Sequence, residues 1–223
     1  MKNDYKDYKK IIIVAGGEID DDLLYNFIKK IKEPYIIGVD KGIEALERIR
    51  YKSDIIIGDF DSASEYIREK YIRSGKAKIF SPEKDETDTH LAVIEALKLP
   101  FDKKIINIFG ATGKRMDHFF GNIGVLKLCL DNNVESYIID KYNKIRMINK
   151  DITLYKDELF GEFISLVPFS DKVEGVSLEG FKYSLSDGVL VKDQTLGISN
   201  ELIKEEGHIS IKSGNLLLLE TRD

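Results

Sequence analysis

The feature that most constrains the fold is an alternation of short apolar runs and helical segments over about residues 10 to 140. The first run, Ile11-Ile12-Ile13-Val14-Ala15, ends in Gly16-Gly17 and is typical of a parallel strand buried on both faces. The predicted strands of this region are 11–15, 35–39, one beginning at residue 55, 77–80, 104–109 and 134–140, and the predicted helices are 20–32, 43–50, 63–74, 87–99 and 117–130. Such alternation predicts βαβ units and a mostly parallel sheet.

From about residue 144 the helical segments stop and only short strands follow, separated by turn signals such as Lys212-Ser213-Gly214-Asn215. These predicted strands are 146–148, 152–155, 162–167, 173–178, 190–191, 202–205, 209–212 and 216–220. The pattern is that of an all-β sandwich or roll. We therefore predict an N-terminal, mostly parallel α/β/α sandwich at residues 1–141 and a C-terminal β-sandwich domain at residues 142–223.

Composition narrows the function classes. The formal net charge of −5 argues against nucleic acid as the main partner. A single cysteine, Cys129, excludes a disulfide framework within one chain, and three histidines make a histidine-rich metal site improbable. The charged start lacks a signal-peptide core, and no apolar run approaches the about 18 residues that span a bilayer. We expect a soluble, cytoplasmic protein with no membrane partner.

The first candidate site is Gly58-Asp59-Phe60-Asp61-Ser62, which follows the buried strand beginning at Ile55. In open α/β sheets ligands bind beyond the carboxyl ends of the strands. There, the carboxylates of Asp59 and Asp61 can converge on one hard cation such as Mg²⁺. The alternative is an Asx-type turn in which Asp59 and Ser62 bond their own backbone.

The second candidate site lies between a predicted strand and a predicted helix and contains Asp85, Glu86, Thr87 and Asp88. Asp85 is a plausible helix N-cap, which would place Asp88 on the same side of the first turn, and Thr87 could equally be the cap. Acids at a helix start also have a purely structural explanation, since they complement the helix dipole. The position at the same sheet edge as Asp59 favours a shared cation.

The third candidate site is the turn Gly110-Ala111-Thr112-Gly113-Lys114-Arg115, which also runs from a strand into a helix. Backbone N–H groups at such a turn bind phosphate oxygens, and arginine can hold two oxygens at once. The spacing does not fit Gly-x₄-Gly-Lys-Ser/Thr, so this is not a Walker A loop. We interpret His118 as a helix residue rather than a ligand.

Taken together, Asp40-Lys41-Gly42 and these three segments resemble thiamine pyrophosphokinases in order and approximate spacing. The C-terminal stretches 199–202, 207–211 and 214–217 are similar to the family's thiamine-binding domain. The resemblance implies transfer of pyrophosphate from ATP to the hydroxyethyl group of thiamine, with release of AMP, by a Mg²⁺-dependent homodimer. Lys41 stands where a second glycine is expected in this family, and the chain has no tryptophan to hold the thiamine rings.

The resemblance also implies functions for individual residues. Metal binding is expected of Asp59, Asp61 and Asp88. Catalysis is expected of Asp85, Arg115 and Asp117. Nucleotide binding is expected of Asp40, Lys41, Ser62, Thr87, Thr112, Lys114 and Arg115. Thiamine is expected to contact Ser199 and Asn200 at the dimer interface.

Two other functions remain compatible with the residues. A metal-dependent phosphoesterase could use aspartate-rich strand ends and an Asp-His pair, although it would need more ligands than three histidines readily supply. A sensor could bind nucleotide and thiamine without turnover. The sequence also leaves open whether Asp85 or Asp117 accepts the proton of the attacking hydroxyl.

Overall fold

The computed structural model describes residues 7–58, 73, 77–79 and 85–223. The chain divides into two compact units, with the boundary between Lys141 and Tyr142. The predicted fold class is confirmed, since a parallel sheet with helices precedes an antiparallel domain. Within the described ranges, no helix combines the length and hydropathy that would let it cross a membrane.

The first unit is built on a parallel sheet with the strand order β6-β5-β1-β2-β3-β4. The strands are β1 Lys9–Val14, β2 Tyr35–Val39, β3 Ile55–Gly58, β4 Ala77–Ile79, β5 Lys104–Phe109 and β6 Glu135–Ile139. The central strand β1 is buried from Ile11 to Val14, which accounts for its unbroken apolar sequence.

The helices of this unit are α1 Asp21–Lys29, α2 Gly42–Arg48, α3 Asp88–Lys98 and α4 Met116–Asp131. Asp20 caps α1 by accepting a hydrogen bond from the Leu23 N–H. The predicted helix at residues 63–74 lies outside the described residues except for Arg73.

The start of α3 resolves the choice between its two predicted caps. Thr87 has an extended backbone (φ −70°, ψ 155°), and its Oγ1 accepts from the His90 N–H at 3.3 Å. An N-cap at Asp85 is therefore wrong, because Asp85 lies before the first helical turn. At the other end of α3, Lys104 Nζ donates to the carbonyls of Leu97 and Leu99 at 2.6 and 2.8 Å.

The second unit is a sandwich of two antiparallel sheets with the strand orders β12-β9-β14-β7 and β11-β10-β13-β8. The strands are β7 Asn143–Ile148, β8 Ile152–Tyr155, β9 Phe163–Pro168, β10 Lys172–Glu179, β11 Leu185–Val191, β12 Asn200–Glu201, β13 Glu206–Ser210 and β14 Leu216–Thr221. Apolar side chains from both sheets form one core, which includes Leu166, Val176, Ile209 and Leu218.

Two predicted strands of the sandwich differ from the structure. The predicted strand at residues 202–205 is wrong: the strand is Asn200–Glu201, and Leu202 forms only a single bridge with Phe181. Strand β11 extends from Leu185, well before the predicted start at residue 190. In both places exposed polar positions interrupt the apolar alternation on which strand prediction depends.

Candidate active site

A cleft of about 780 Å³ opens in the first unit where the chain leaves β1, β2 and β5. Strand β1 lies between β2 and β5, so the chain runs outward from β1 in one direction and later returns to its other side. Ligands of open α/β sheets bind at such a topological switch point. The residues that line the cleft are Ala15, Gly16, Gly17, Glu18, Asp40, Lys41, Thr87, Asp88, Thr89, Gly110, Ala111, Thr112, Lys114, Arg115, His118 and Asn122.

Two glycine-containing loops meet in the cleft. The Gly17 N–H donates to the Gly110 carbonyl at 2.9 Å, just after β1 and β5 stop pairing at Val14 and Phe109. A Cβ on Gly17 would overlap that carbonyl oxygen and would lie 2.5 Å from the Thr112 oxygen. Only glycine allows the two backbones to approach so closely.

Gly16, Gly17 and Glu18 line the cleft but are not among the site residues expected from the sequence, where Gly16-Gly17 indicates only the end of a strand. The available signal was a glycine pair immediately after a buried strand.

The turn after β5 provides the cationic side of the cleft. Thr112, Lys114 and Arg115, for which nucleotide binding is expected from the sequence, all line it. Among the described residues, the backbone N–H groups of residues 111–115 donate to no other backbone group. Such N–H groups at the start of a helix can bind an anion.

Arg115 is paired with Asp117, which is exposed and does not line the cleft. Arg115 Nε donates to Asp117 Oδ1 at 3.1 Å, and Nη2 donates to Oδ2. The guanidinium lowers the pKa of Asp117 to about 2. A carboxylate with so low a pKa is a weak proton acceptor, so the pair favours Asp117 as the partner that orients Arg115.

The N-terminus of α3 provides the acidic side. Thr87, Asp88 and Thr89 line the cleft, whereas Asp85 is exposed and does not. The structure thus brings Asp88 to the site and leaves Asp85 outside it, because the helix begins three residues after Asp85.

Asp40 lines the cleft and also contacts the end of strand β3. Its N–H donates to the Ile57 carbonyl at 3.2 Å, and its carboxylate lies directly against Gly58. Gly58 has a φ of +149°, which side chains rarely adopt, and a Cβ there would overlap Asp40 Oδ1. The next residues, Asp59, Asp61 and Ser62, lie outside the described part of the chain.

The described residues provide some, but not all, of the carboxylates that a Mg²⁺ site needs. Asp40 and Asp88 both line the cleft, and carboxylate oxygens are the donor type that Mg²⁺ prefers. Among the described residues, no three His, Cys, Asp or Glu side chains come together as a metal site. A Mg²⁺ site would therefore depend on Asp59 and Asp61 as well.

His118 and Asn122 extend the cleft along α4, one and two turns beyond Arg115. His118 is exposed toward the cleft rather than packed in the core. Asn122 was not predicted as a site residue, since a lone asparagine in an apolar helix carries no sequence signal.

In the second unit, the two predicted thiamine-binding residues differ in environment. Ser199 is exposed, with a φ of +56°. Asn200 is buried, and its side chain bridges the backbone of Tyr183: Nδ2 donates to the Tyr183 carbonyl at 2.8 Å, and Oδ1 accepts from its N–H at 3.0 Å. Asn200 therefore holds Tyr183, whose ring is exposed (61 % for the residue).

The first unit is thus a doubly wound α/β domain with a cleft suited to a phosphorylated ligand. Comparisons with known proteins identify the family of the chain. The family described as "Thiamin pyrophosphokinase, catalytic domain" matches residues 29–138, and "Thiamin pyrophosphokinase, vitamin B1 binding domain" matches residues 149–216. The thiamine pyrophosphokinase of Bacillus subtilis (strain 168) is 38% identical over 218 residues, covering 96% of this chain and 100% of that protein. The chain belongs to the thiamine pyrophosphokinase family.

Solved structures show the same relationship. The crystal structure of the Bacillus subtilis thiamine pyrophosphokinase aligns with a TM-score of 0.85, over 96% of this chain and 100% of that one. The crystal structure of thiamin pyrophosphokinase from Geobacillus thermodenitrificans is 30% identical and aligns with a TM-score of 0.82, over 96% and 98% of the two chains. The similarity therefore covers both units.

Proposed function

We infer that the protein is a thiamine diphosphokinase, which transfers pyrophosphate from ATP to the hydroxyethyl group of thiamine and releases AMP. Family membership over nearly the whole chain carries this conclusion. Neither a phosphoesterase nor a non-catalytic sensor receives comparable support.

ATP is proposed to bind in the cleft of the first unit. The convergence of Lys41, Lys114 and Arg115 with the N-terminus of α4 supports this placement, since cationic side chains and free N–H groups stabilise phosphate oxygens. Thr87 and Thr112 add hydroxyl groups at the same cleft. Asp40 and Ser62 complete the proposed nucleotide-binding set.

Asp59, Asp61 and Asp88 are proposed to hold Mg²⁺, with Asp40 beside them. The cation would neutralise phosphate charge during the transfer. The position of the Asp40 carboxylate against Gly58, next to Asp59 in the chain, supports a convergence of carboxylates at this edge.

Arg115 is proposed to contact the reacting phosphates. Asp117 holds its guanidinium through two hydrogen bonds, which restricts the orientation of a long and otherwise exposed side chain. The lowered pKa of Asp117 makes it a weak acceptor for the proton of the thiamine hydroxyl. Asp85 stays a predicted catalytic residue, although it does not line the described cleft.

Thiamine is proposed to bind the second unit beside Ser199 and Asn200. Tyr183, whose backbone Asn200 holds, supplies an exposed aromatic ring, and aromatic faces attract cations such as the thiazolium ring. We further propose that the protein acts as a cytoplasmic homodimer, with Ser199 and Asn200 at the interface.

The test is to incubate the purified protein with Mg²⁺, ATP and thiamine and to identify the products. AMP and thiamine diphosphate in equal amounts are expected. ADP with thiamine monophosphate would overturn the reaction assignment, and intact ATP would overturn either the acceptor or the enzymatic function. Omission of Mg²⁺ is expected to abolish turnover.

A further inference from the structure

The segment that runs beside strand β9 contains a β-bulge at the proposed thiamine site. Asn200 pairs with Ile164. Two residues further along β9, the Leu166 N–H donates at 2.8 Å to the carbonyl of Gly197, which lies three residues before Asn200. The segment beside β9 therefore has one extra residue between the two contacts. Bulges occur next to functional sites, where they redirect a side chain.

Ser199 is the residue in the bulge with an unusual backbone conformation. Its φ is +56°, in the left-handed region that favours glycine, and its side chain is exposed. The second unit uses glycine at three other positions with a positive φ, Gly175, Gly180 and Gly214. Glycine would meet a requirement for this backbone conformation best, so the serine indicates that the side chain itself has a function.

Ser165 stabilises the backbone of Ser199 from the neighbouring strand. It lies in β9, and its Oγ accepts a hydrogen bond from the Ser199 N–H at 2.9 Å. In a regular antiparallel pair a backbone carbonyl accepts from such an N–H, but the bulge interrupts the ladder and the side-chain oxygen replaces the carbonyl. Because the acceptor belongs to a buried residue of the sheet, the bond fixes Ser199 relative to the sheet.

A similar arrangement between β10 and β11 provides a comparison. The register of these two strands shifts on both sides of Val176. The Oγ of Ser177 accepts from the Asp187 N–H at 3.0 Å, and Asp187 has a φ of +50°. The Asp187 carboxylate is used within the protein, since it accepts from Lys212 Nζ at 2.7 Å. In contrast, the Oγ of Ser199 makes no hydrogen bond with any described residue, which leaves it available to a ligand.

We propose that Ser165 is a positioning residue for thiamine. Its Oγ holds Ser199 in the left-handed conformation and so keeps the Ser199 hydroxyl in place for contact with thiamine. Ser165 is only 6% exposed, so it acts through Ser199 and does not touch the substrate. The inference deepens the proposed function and rests on it, since thiamine binding at Ser199 is part of that proposal.

The experiment is calorimetric titration of the full-length protein with thiamine in the absence of ATP, combined with steady-state kinetics. Ser165→Ala removes the acceptor oxygen and is expected to raise the Kd for thiamine about 3- to 10-fold, the effect of one hydrogen bond. The KM for thiamine is expected to rise by a similar factor. The kcat and the KM for ATP are expected to stay within about twofold, because only substrate binding is weakened.

A double-mutant cycle separates positioning from general support of the fold. Ser199→Ala is expected to raise the Kd for thiamine, and adding Ser165→Ala to it is expected to raise the Kd less than about twofold further, because the hydroxyl to be positioned is already absent. A purely structural role would weaken thiamine binding by the same factor with and without Ser199→Ala. That outcome would overturn the proposal, as would an unchanged Kd in Ser199→Ala.

Ser177→Ala is the matched control. It removes the same kind of bond, from a serine Oγ to the N–H of a positive-φ residue, but at Asp187, which is not a proposed thiamine residue. It is expected to leave the Kd for thiamine unchanged, and equal weakening by Ser165→Ala and Ser177→Ala would overturn the proposal. Ser165→Cys, which has nearly the same size and a weaker acceptor atom, replaces Ser165→Ala if that variant fails to fold, with a rise in Kd again expected.

The measurements distinguish a failure of this inference from a failure of the proposed function. An unchanged Kd for thiamine in Ser165→Ala would overturn the inference alone, because the unmodified protein would still bind its substrate. An unmodified protein that binds no thiamine and forms no thiamine diphosphate would overturn the proposed function and the inference together.

Discussion

The two units assemble their candidate sites in opposite ways. In the parallel unit, Gly17, Asp40, Asp88 and Thr112 come from four separated segments and meet in one cleft. In the antiparallel unit, Tyr183 and Asn200 meet because two adjacent segments run side by side, as the Phe181–Leu202 bridge shows. Parallel strands are joined by crossover connections, so the carboxyl ends of all the strands lie at one edge of the sheet and residues far apart in the chain meet there. Antiparallel segments instead bring together residues that are close in the chain.

The two regions also differ in the chemistry they expose. The cleft carries lysine, arginine and aspartate side chains. Exposed residues with large apolar side chains include Leu196 and Ile198, which precede Ser199 in the chain, and Tyr183, which Asn200 holds. This contrast agrees with the proposal that the first unit binds ATP with Mg²⁺ and the second binds thiamine. It predicts that a substitution in one unit changes the kinetics of one substrate and leaves those of the other unchanged.

The largest effect is expected from Asp88→Asn, which keeps the shape of the side chain but removes a proposed Mg²⁺ ligand. Loss of several kcal/mol of charge stabilisation corresponds to a fall in kcat/KM of about 10³-fold. Steady-state kinetics at increasing Mg²⁺ concentration would measure it, and the affinity for thiamine is expected to be unchanged.

Glu86→Gln is the matched control for Asp88→Asn, since Glu86 lies two residues away and does not line the cleft. It is expected to retain full activity. Equal losses of kcat/KM in the two variants would show that activity depends on negative charge near the start of α3 and not on a metal ligand at Asp88.

A smaller effect is expected from Gly17→Ala, whose Cβ would push apart the two loops of the cleft. A displacement of about 1 Å at a site can lower the rate about 10²-fold, and ATP affinity should fall with it. Kinetics and ATP titration would measure the change, with circular dichroism to verify folding.

Gly124→Ala provides the glycine control. Gly124 is an exposed position in α4 with no atom near its missing Cβ. Alanine there is expected to stabilise the protein by about 0.5–1 kcal/mol and to leave ATP binding unaltered. Intact ATP binding in Gly17→Ala would show that close contact of the two loops is dispensable.

Tyr183→Ala tests the other region and is expected to raise the KM for thiamine about 10-fold, since cation–π contacts contribute about 0.5–2 kcal/mol. The KM for ATP should stay constant. Tyr183→Phe keeps the ring and is expected to behave like the unmodified protein. An increase in the KM for ATP instead would contradict the assignment of separate substrates to the two units.

The smallest effect concerns the pKa of Asp117, which Arg115 lowers from the ordinary 3.8 to about 2. Arg115→Ala is expected to return this pKa toward 3.8, as measured by NMR titration of the carboxyl carbon. A lowered pKa in the folded state stabilises the protein above pH 3.8, and that contribution is lost as the pH falls through about 2. A pKa that stayed near 2 would mean that the N-terminus of α4, and not Arg115, stabilises the carboxylate.

The sequence by itself determined most of the described helices and strands of both units, and it identified seven of the sixteen described residues that line the cleft. Continuous burial of Ile11 to Val14 and the end-of-strand positions of Asp40 and Thr112 can be predicted because local periodicity and turn residues determine them.

Only the tertiary structure decided which candidates share a site. It placed Asp88 in the cleft and Asp85 outside it, brought Gly17 against Gly110, put Tyr183 beside Asn200, and turned Asn122 toward the cleft. These outcomes depend on the pairing of β1 with both β2 and β5 and on where each helix begins. Local patterns do not encode such pairings, because they are determined by packing between segments far apart in the chain.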